Sequence, residues 1–258
     1  MENLKIALLQ FDITWENPLK NRNKIELYFA SVKTADIILL PEMFTTGFSI
    51  EATHLAESMD GETVAWMKEM AIKQQTVICG SLMINEAGNI YNRLVWVEPS
   101  GLIKTYDKRH LFSLINEQKH FTAGTKRLII EYKGWRICPL ICYDLRFPVF
   151  SRNDVNYDLC FYIANWPSKR IAAWDILLQA RAVENQAYTI GVNRVGVDGY
   201  KASYSGHSQV LDPLGDVIAT APENEVGWVE FALSKNHLDD FRKRFPFLED
   251  RDLFELTY

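Results

Sequence analysis

A chain of 258 residues, 48% hydrophobic and 24% charged, has the balance of a globular protein and the length for one large core. Its net charge of −5, with no basic tail, argues against nucleic acid as a partner. Apolar runs such as "ADIILLP" and "RLIIEY" are too short to cross a bilayer, which argues against a membrane.

The chain opens on "MENLKIALLQFDITWENP". Glu2 and Asp12 flank its short apolar run, unlike a secretory leader, so a cytoplasmic location is expected. "LKIALLQFDI" reads as a buried strand. Asn17 and Pro18 then mark a helix start, and Ile25, Leu27, Tyr28 and Val32 recur at roughly helical spacing. "ADIILLP" is a second buried strand, ended by Pro41. Strand, helix and strand in this order suggest a parallel sheet with helical crossovers. A helix over "GETVAWMKEMAIKQQ" and a strand over "TVICGSLMI" follow. "NIYNRLVWVEP" and "LIKTYDK" are strands separated by turn signals. Residues 107–127 are polar and aperiodic, and so long a loop points to function. "RLIIEY", "WRICPLIC" and "YDLCFYIAN" are strands, "IAAWDILLQARAVENQ" a helix. "YTIGVNRVG", "SGHSQVLDP", "GDVIAT" and "GWVEFAL" are strands, and "KNHLDDFRKRF" is the last helix.

No linker or repeat divides residues 1–258, so one domain is expected. So many apolar strands exceed one sheet; two packed sheets with helices outside would bury them. Pro139 predicts an irregular or unpaired stretch just before Cys142. Cys79, Cys138, Cys142 and Cys160 form no zinc-ligand spacing. A reduced protein with no metal and no cofactor is expected, with at least three of the thiols ordinary core residues.

Three reactive residues fall where strands end: Glu42 after "LLP", Lys108 after "LIKTYD" and Cys142 after "PLI". Ligands of open α/β sheets collect outside the carboxyl ends of strands. Singly, Glu42 and Lys108 read as solvated side chains and Cys142 as a core thiol. Together they form a complete set for amide cleavage. A thiol of pKa about 8.5 is a poor nucleophile until a carboxylate takes its proton or an ammonium lowers its pKa. The oxyanion formed on attack needs fixed donors, for which Lys108 and the Tyr143 backbone N–H are candidates. The same carboxylate can then activate water against the thioester.

"PEMF", "DKRHLF" and "CYDLRFP", in this order, resemble the Glu–Lys–Cys signature of the nitrilase superfamily of carbon–nitrogen hydrolases. The likeness runs from "KIALLQFD" through "SGHSQVLDPLGDVI". It implies a four-layer αββα sandwich, with Glu42 as general base, Lys108 stabilising the tetrahedral intermediate and Cys142 as nucleophile. It also implies that Glu117, in the loop after the lysine, joins the site by orienting Lys108 or the substrate amide.

"DKRHLF", "CYDLRFP" and "ANWP" together look most like the omega-amidase branch. That branch hydrolyses the side-chain amide of 2-oxoglutaramate or 2-oxosuccinamate. A small anionic amide calls for a cation. Arg146 is the candidate, its alternative role being an ion pair with Asp144. Phe44, Phe48 and Trp166 are candidate pocket walls, and His207 reads as scaffold. The resemblance further implies a homodimer, with residues 244–258 as the candidate interface segment. Rival readings are another amidase branch, acting on an N-carbamoyl amine or deaminated glutathione, and a non-catalytic binding protein on the same fold. A dinucleotide-binding oxidoreductase lacks its GxGxxG turn after the first strand.

Overall fold

The computed structural model describes residues 3–256. Glu2, part of the opening read as no leader, and the last two residues of the proposed interface segment lie outside them. In chain order the strands and helices are β1 (Leu4–Gln10), α1 (Pro18–Phe29), β2 (Ile37–Leu39), α2 (Glu62–Gln74), β3 (Val77–Glu86), β4 (Asn89–Val97) and β5 (Ile103–Asp107). After the long loop come β6 (Ile130–Tyr132), β7 (Trp135–Ile141), α3 (Pro148–Ser151), β8 (Leu159–Ile163), α4 (Ile171–Asn185) and β9 (Tyr188–Val192). The chain closes with β10 (Val195–Val197), β11 (Ser203–Ser205), β12 (Gln209–Leu211), β13 (Val217–Thr220), β14 (Gly227–Leu233) and α5 (Lys235–Arg244).

Two six-stranded mixed sheets result, ordered β14-β1-β2-β3-β4-β5 and β13-β12-β9-β8-β7-β6. Each has three parallel strands at its centre, β1-β2-β3 in one and β7-β8-β9 in the other, flanked by antiparallel strands. The period of two along a strand makes the layers. In β1, Leu4, Ile6 and Leu8 join the core shared with the second sheet. Ala7 and Leu9 point the other way, onto Ile25 and Phe29 of α1 and Met67 and Met70 of α2. On the second sheet, Trp174, Leu178 and Ala182 of α4 belong to the same core as β7 and β8. Burial on both faces is why these strands read as continuous apolar runs rather than alternating ones. This is the αββα sandwich expected. Cys79, Cys138 and Cys160 are buried free thiols within it.

Three expectations are corrected. "YTIGVNRVG" is not one strand but β9 and β10, parted at Asn193 and Arg194. The Asn193 amide donates to the carbonyls of Trp166 and Gly206 at 2.9 and 2.7 Å, turning the chain out of the sheet. "SGHSQVLDP" shortens to β12, because Gly206 and His207 adopt left-handed backbone (φ 84° and 61°). Pro139 is not irregular, since it lies within β7 opposite Phe161 of β8, and it is unpaired on one edge only. Antiparallel β6 reaches only to Ile137. Past that point one edge of β7 has no strand beside it, and the missing N–H is tolerated.

The long loop leaves β5 at Asp107 and is pinned on return, where Gly124 N donates to Lys108 O at 2.9 Å. A Cβ on Gly124 would lie 2.1 Å from the Asp107 carbonyl oxygen, so only glycine permits this approach. Gly124→Ala is therefore expected to destabilise the fold by about 1–3 kcal/mol and to displace Lys108. Thermal unfolding reads the first effect. An unchanged midpoint would mean that the two backbones part at no cost.

Candidate active site

Four strand ends meet at one edge of the sandwich. After β2, residues 42–44 are fastened to β3: Met43 N donates to Ser81 Oγ at 2.9 Å and Phe44 N to Ser81 O at 3.3 Å. Met43 takes a left-handed φ of 43°, and Glu42 is buried among the strand ends. After β5, Lys108 N donates to Asn92 O at 3.0 Å, which fixes the lysine beside β4. After β7, Cys142 opens a 3-10 turn over Cys142–Arg146 with φ 44°. That conformation costs a non-glycine residue about 1 kcal/mol. As the first two residues of the turn, Cys142 and Tyr143 have backbone N–H groups without a carbonyl partner inside it. β8 delivers Asn165 and Trp166.

Asp144 holds the cysteine turn to the lysine segment. Fully buried, its Oδ2 accepts from Tyr106 Oη at 2.7 Å and Ile141 N at 3.0 Å. Its Oδ1 meets His110 N at 3.0 Å and His110 Nδ1 at 2.8 Å. Both oxygens are thus used on groups other than Arg146, and the alternative pairing weighed for that arginine does not form.

At the centre lies a buried array of charge. Lys108 Nζ is 3.0 Å from Glu42 Oε1 and 3.0 and 3.1 Å from the two oxygens of Glu117. Lys108 is 1% exposed, Glu42 and Glu117 are 0%. Buried charges persist only when paired and hydrogen-bonded, and here they are. Glu42 also receives Asn92 Nδ2 on Oε1 and Asn165 N on Oε2, each at 2.8 Å. Glu117 receives the N–H of Phe112. Lys108 Nζ also stands 4.8 Å from the centre of the Phe48 ring.

Burial disfavours the ammonium of Lys108, but the charges of Glu117 and Glu42 outweigh it, and its pKa rises. Burial likewise raises Glu117 above the ordinary carboxylate value, with Lys108 opposing and Glu42 adding. The Cys142 thiol is pushed well up, first by burial and then by Glu42, with Lys108 pulling the other way. The resting group is therefore a neutral thiol beside a carboxylate. Its Sγ lies 4.0 Å from Asn165 O.

Cys142 opens onto a cavity of about 310 Å³ walled in part by Phe48, Tyr143, Arg146, Trp166, Arg170 and Tyr204. Arg146 stacks over Trp166, its Cζ 4.9 Å from the ring centre. Of the residues singled out in the sequence, Glu42, Lys108, Cys142 and Glu117 come together, with Tyr143, Arg146, Trp166 and Phe48 around them. Phe44 does not join the pocket wall. It is 0% exposed, packs against Trp66 at 6.1 Å between ring centres, and fills the space above Gly80. His207 pairs with Asp175 at 3.0 Å, as scaffold. Sequence reasoning missed Asn92, Asn165 and Arg170, and gave Asp144 a different partner from the ones it has. A polar residue inside an apolar strand was the available signal for Asn92. Among the described residues, no group of His, Cys, Asp and Glu has the arrangement to hold a metal ion.

The Carbon-nitrogen hydrolase family profile matches residues 5–243. Omega-amidase YafV of Escherichia coli K12 is 44% identical over 256 residues, spanning 99% of this chain and 100% of that protein. The 2-oxoglutaramate amidase of Bacillus subtilis is 33% identical, covering 96% and 98%. XC1258 of Xanthomonas campestris is a CN-hydrolase superfamily protein solved with an arsenic adduct in its active site. It superposes with a TM-score of 0.97 at 44% identity over the whole of both chains.

With its pKa raised, Cys142 is expected to show no ionisation step below about pH 9. The measurement is ultraviolet thiolate absorbance against pH, wild type minus Cys142→Ala. A step near neutrality would show that Lys108 outweighs burial and Glu42.

Proposed function

Because this chain belongs to the carbon–nitrogen hydrolase family and is an amidohydrolase of non-peptide carbon–nitrogen bonds, we propose that it cleaves small 2-oxo acid amides through Cys142. The substrates are 2-oxoglutaramate and 2-oxosuccinamate, and the products are the 2-oxo dicarboxylic acid and ammonia. The observation that carries the reaction is the Glu42–Lys108–Glu117 array buried beside the thiol. The substrate assignment is supported by a small cavity in which Arg146 faces inward with its guanidinium stacked on Trp166. The names of two relatives, omega-amidase and 2-oxoglutaramate amidase, also support it.

In this reading, Glu42 takes the thiol proton as Cys142 Sγ bonds to the amide carbon, so no free thiolate need accumulate. The carbonyl π electrons move onto oxygen. Glu42 takes one N–H of Lys108 and the two oxygens of Glu117 share a second; the third, with Tyr143 N–H, meets the oxyanion. Glu42 returns its proton to the departing nitrogen, the C–N bond breaks, and ammonia leaves a thioester. Water then loses a proton to Glu42 and adds to the thioester carbon. Collapse expels the Cys142 sulfur, which recovers the proton, and the carboxylic acid is released. Glu117, held by Phe112 N and bonded to Lys108, orients the ammonium throughout. Arg146 grips the substrate carboxylate with paired N–H donors.

We also propose a homodimer using residues 244–258, supported by the exposed apolar side chains of Phe247 and Leu253 (96% exposed for the latter). Leu253→Glu is expected to lower the molar mass measured by light scattering from dimer to monomer; a dimer that survives would place the interface elsewhere. Among the described residues, no helix is long and apolar enough to cross a membrane.

Ammonia release from 2-oxoglutaramate, beside glutamine, an N-carbamoyl amine and an aliphatic nitrile, tests the function. Turnover of the oxo-amide is expected, with a loss of about a thousandfold or more in Cys142→Ala. Activity confined to another amide would overturn the substrate and keep the chemistry. Full activity in the variant would overturn the chemistry.

A further inference from the structure

The cavity carries a second guanidinium. Arg170 closes the 3-10 turn Ser168–Arg170 that leads into α4. Its Cζ stands 5.2 Å from the centre of the Phe112 ring, and its carbonyl oxygen accepts from Trp166 Nε1 at 2.8 Å. Trp166 thus links both cations: its ring carries Arg146, and its N–H fixes the backbone of Arg170. Arg22, Arg93, Arg127, Arg181, Arg194 and Arg242 each meet a carboxylate. Among the described residues, Arg146 and Arg170 do not; they have aromatic faces instead. A stacked guanidinium keeps the N–H donors of its edge free. The nearby carboxylate of Asp198 is committed, accepting from Ala202 N at 2.9 Å and Tyr204 Oη at 2.8 Å. Glu51 is exposed.

We propose that Arg170 is a specificity-determining residue that, with Arg146, selects 2-oxo acid amides against α-amino acid amides. The inference rests on the substrate reading above and assigns its discrimination to named groups. A 2-oxo acid head offers acceptors alone, a carboxylate and a ketone oxygen, to two groups that are donors alone. The head of glutamine adds an ammonium. Between Arg146 and Arg170 that charge meets like charge, which Asp198, already accepting two hydrogen bonds, and the solvated Glu51 offset only in part. Selectivity then comes as much from repulsion as from attraction.

The test is the ratio of kcat/KM for 2-oxoglutaramate to that for glutamine in wild type, Arg170→Met and Arg170→Lys. Methionine keeps an apolar stem against Phe112. The ratio is expected to fall about tenfold or more in Arg170→Met, mainly through a higher KM for the oxo-amide, and to recover in part with lysine. If the methionine variant fails to fold, Arg170→Gln repeats the comparison, and the same fall is expected because the charge is what matters. Binding of 2-oxoglutarate to Cys142→Ala, with and without Arg170→Met, reads the same contact without turnover and should weaken by a similar factor. A ratio within about twofold of wild type, or unchanged 2-oxoglutarate affinity, overturns the role of Arg170 alone. A wild type that hydrolyses other amides but not 2-oxoglutaramate overturns the substrate reading and this inference with it.

Discussion

Lys108 sits out of water between two carboxylates, and much of the site geometry follows from that burial. An ammonium or carboxylate moved into a protein interior loses several kcal/mol of hydration, which only close partners can restore. Glu42 and Glu117 supply opposite charge, but two carboxylates on one lysine leave an excess of negative charge. Neutral donors offset it: Asn92 Nδ2 and Asn165 N on Glu42, Phe112 N on Glu117. Each comes from a different part of the fold, β4, the end of β8 and the long loop. The array therefore forms only when both sheets and the loop are in place.

The same arrangement sets the state of the proposed nucleophile. Burial and Glu42 raise the Cys142 pKa while Lys108 lowers it, and the two influences arise from groups that are themselves bonded. Pairing with Glu42 and Glu117 spends much of the positive field of Lys108, leaving too little to hold a thiolate at rest. A neutral thiol next to a carboxylate acceptor adds no further charge to the buried array, and in the proposed reaction new charge develops only as the carbonyl oxygen takes it up. Position must compensate for the weak resting nucleophile. The left-handed backbone at Cys142 and the four contacts of Asp144 provide that placement.

Glu42 and Cys142 were legible because each terminates an apolar run, and Lys108 because it follows a strand and completes their set. The layers were legible too, since strands buried on both faces leave no polar alternation. The supporting groups were not. Asn92 stands out as a polar residue in the largely apolar β4, but nothing local says that its amide faces a carboxylate. Phe44 misled for the opposite reason. It follows Glu42 by two residues, yet the left-handed turn at Met43 separates them, sending Glu42 to the charge array and the phenyl ring to Trp66. The break at Asn193 was hidden because Val192 and Val195 continue the apolar pattern across it. Only the distant carbonyls of Trp166 and Gly206 explain why the strand stops there.

The groups proposed for reaction and for recognition lie on different kinds of element. Glu42, Lys108 and Cys142 sit at the ends of β2, β5 and β7, where a small displacement would strip partners from a buried charge. Arg146 and Arg170 sit on 3-10 turns beyond the strands, and their contacts are ring faces rather than ion pairs. Replacing either arginine uncovers no buried carboxylate, so the fold tolerates change there far better than at Lys108. A chain with net charge −5 can thus present two free cations in one cavity without disturbing its core. In the proposed reading, substrate preference can vary on this scaffold while the amide chemistry stays fixed, because neither arginine bonds to Glu42, Lys108 or Glu117, although Arg146 ends the turn that Cys142 opens.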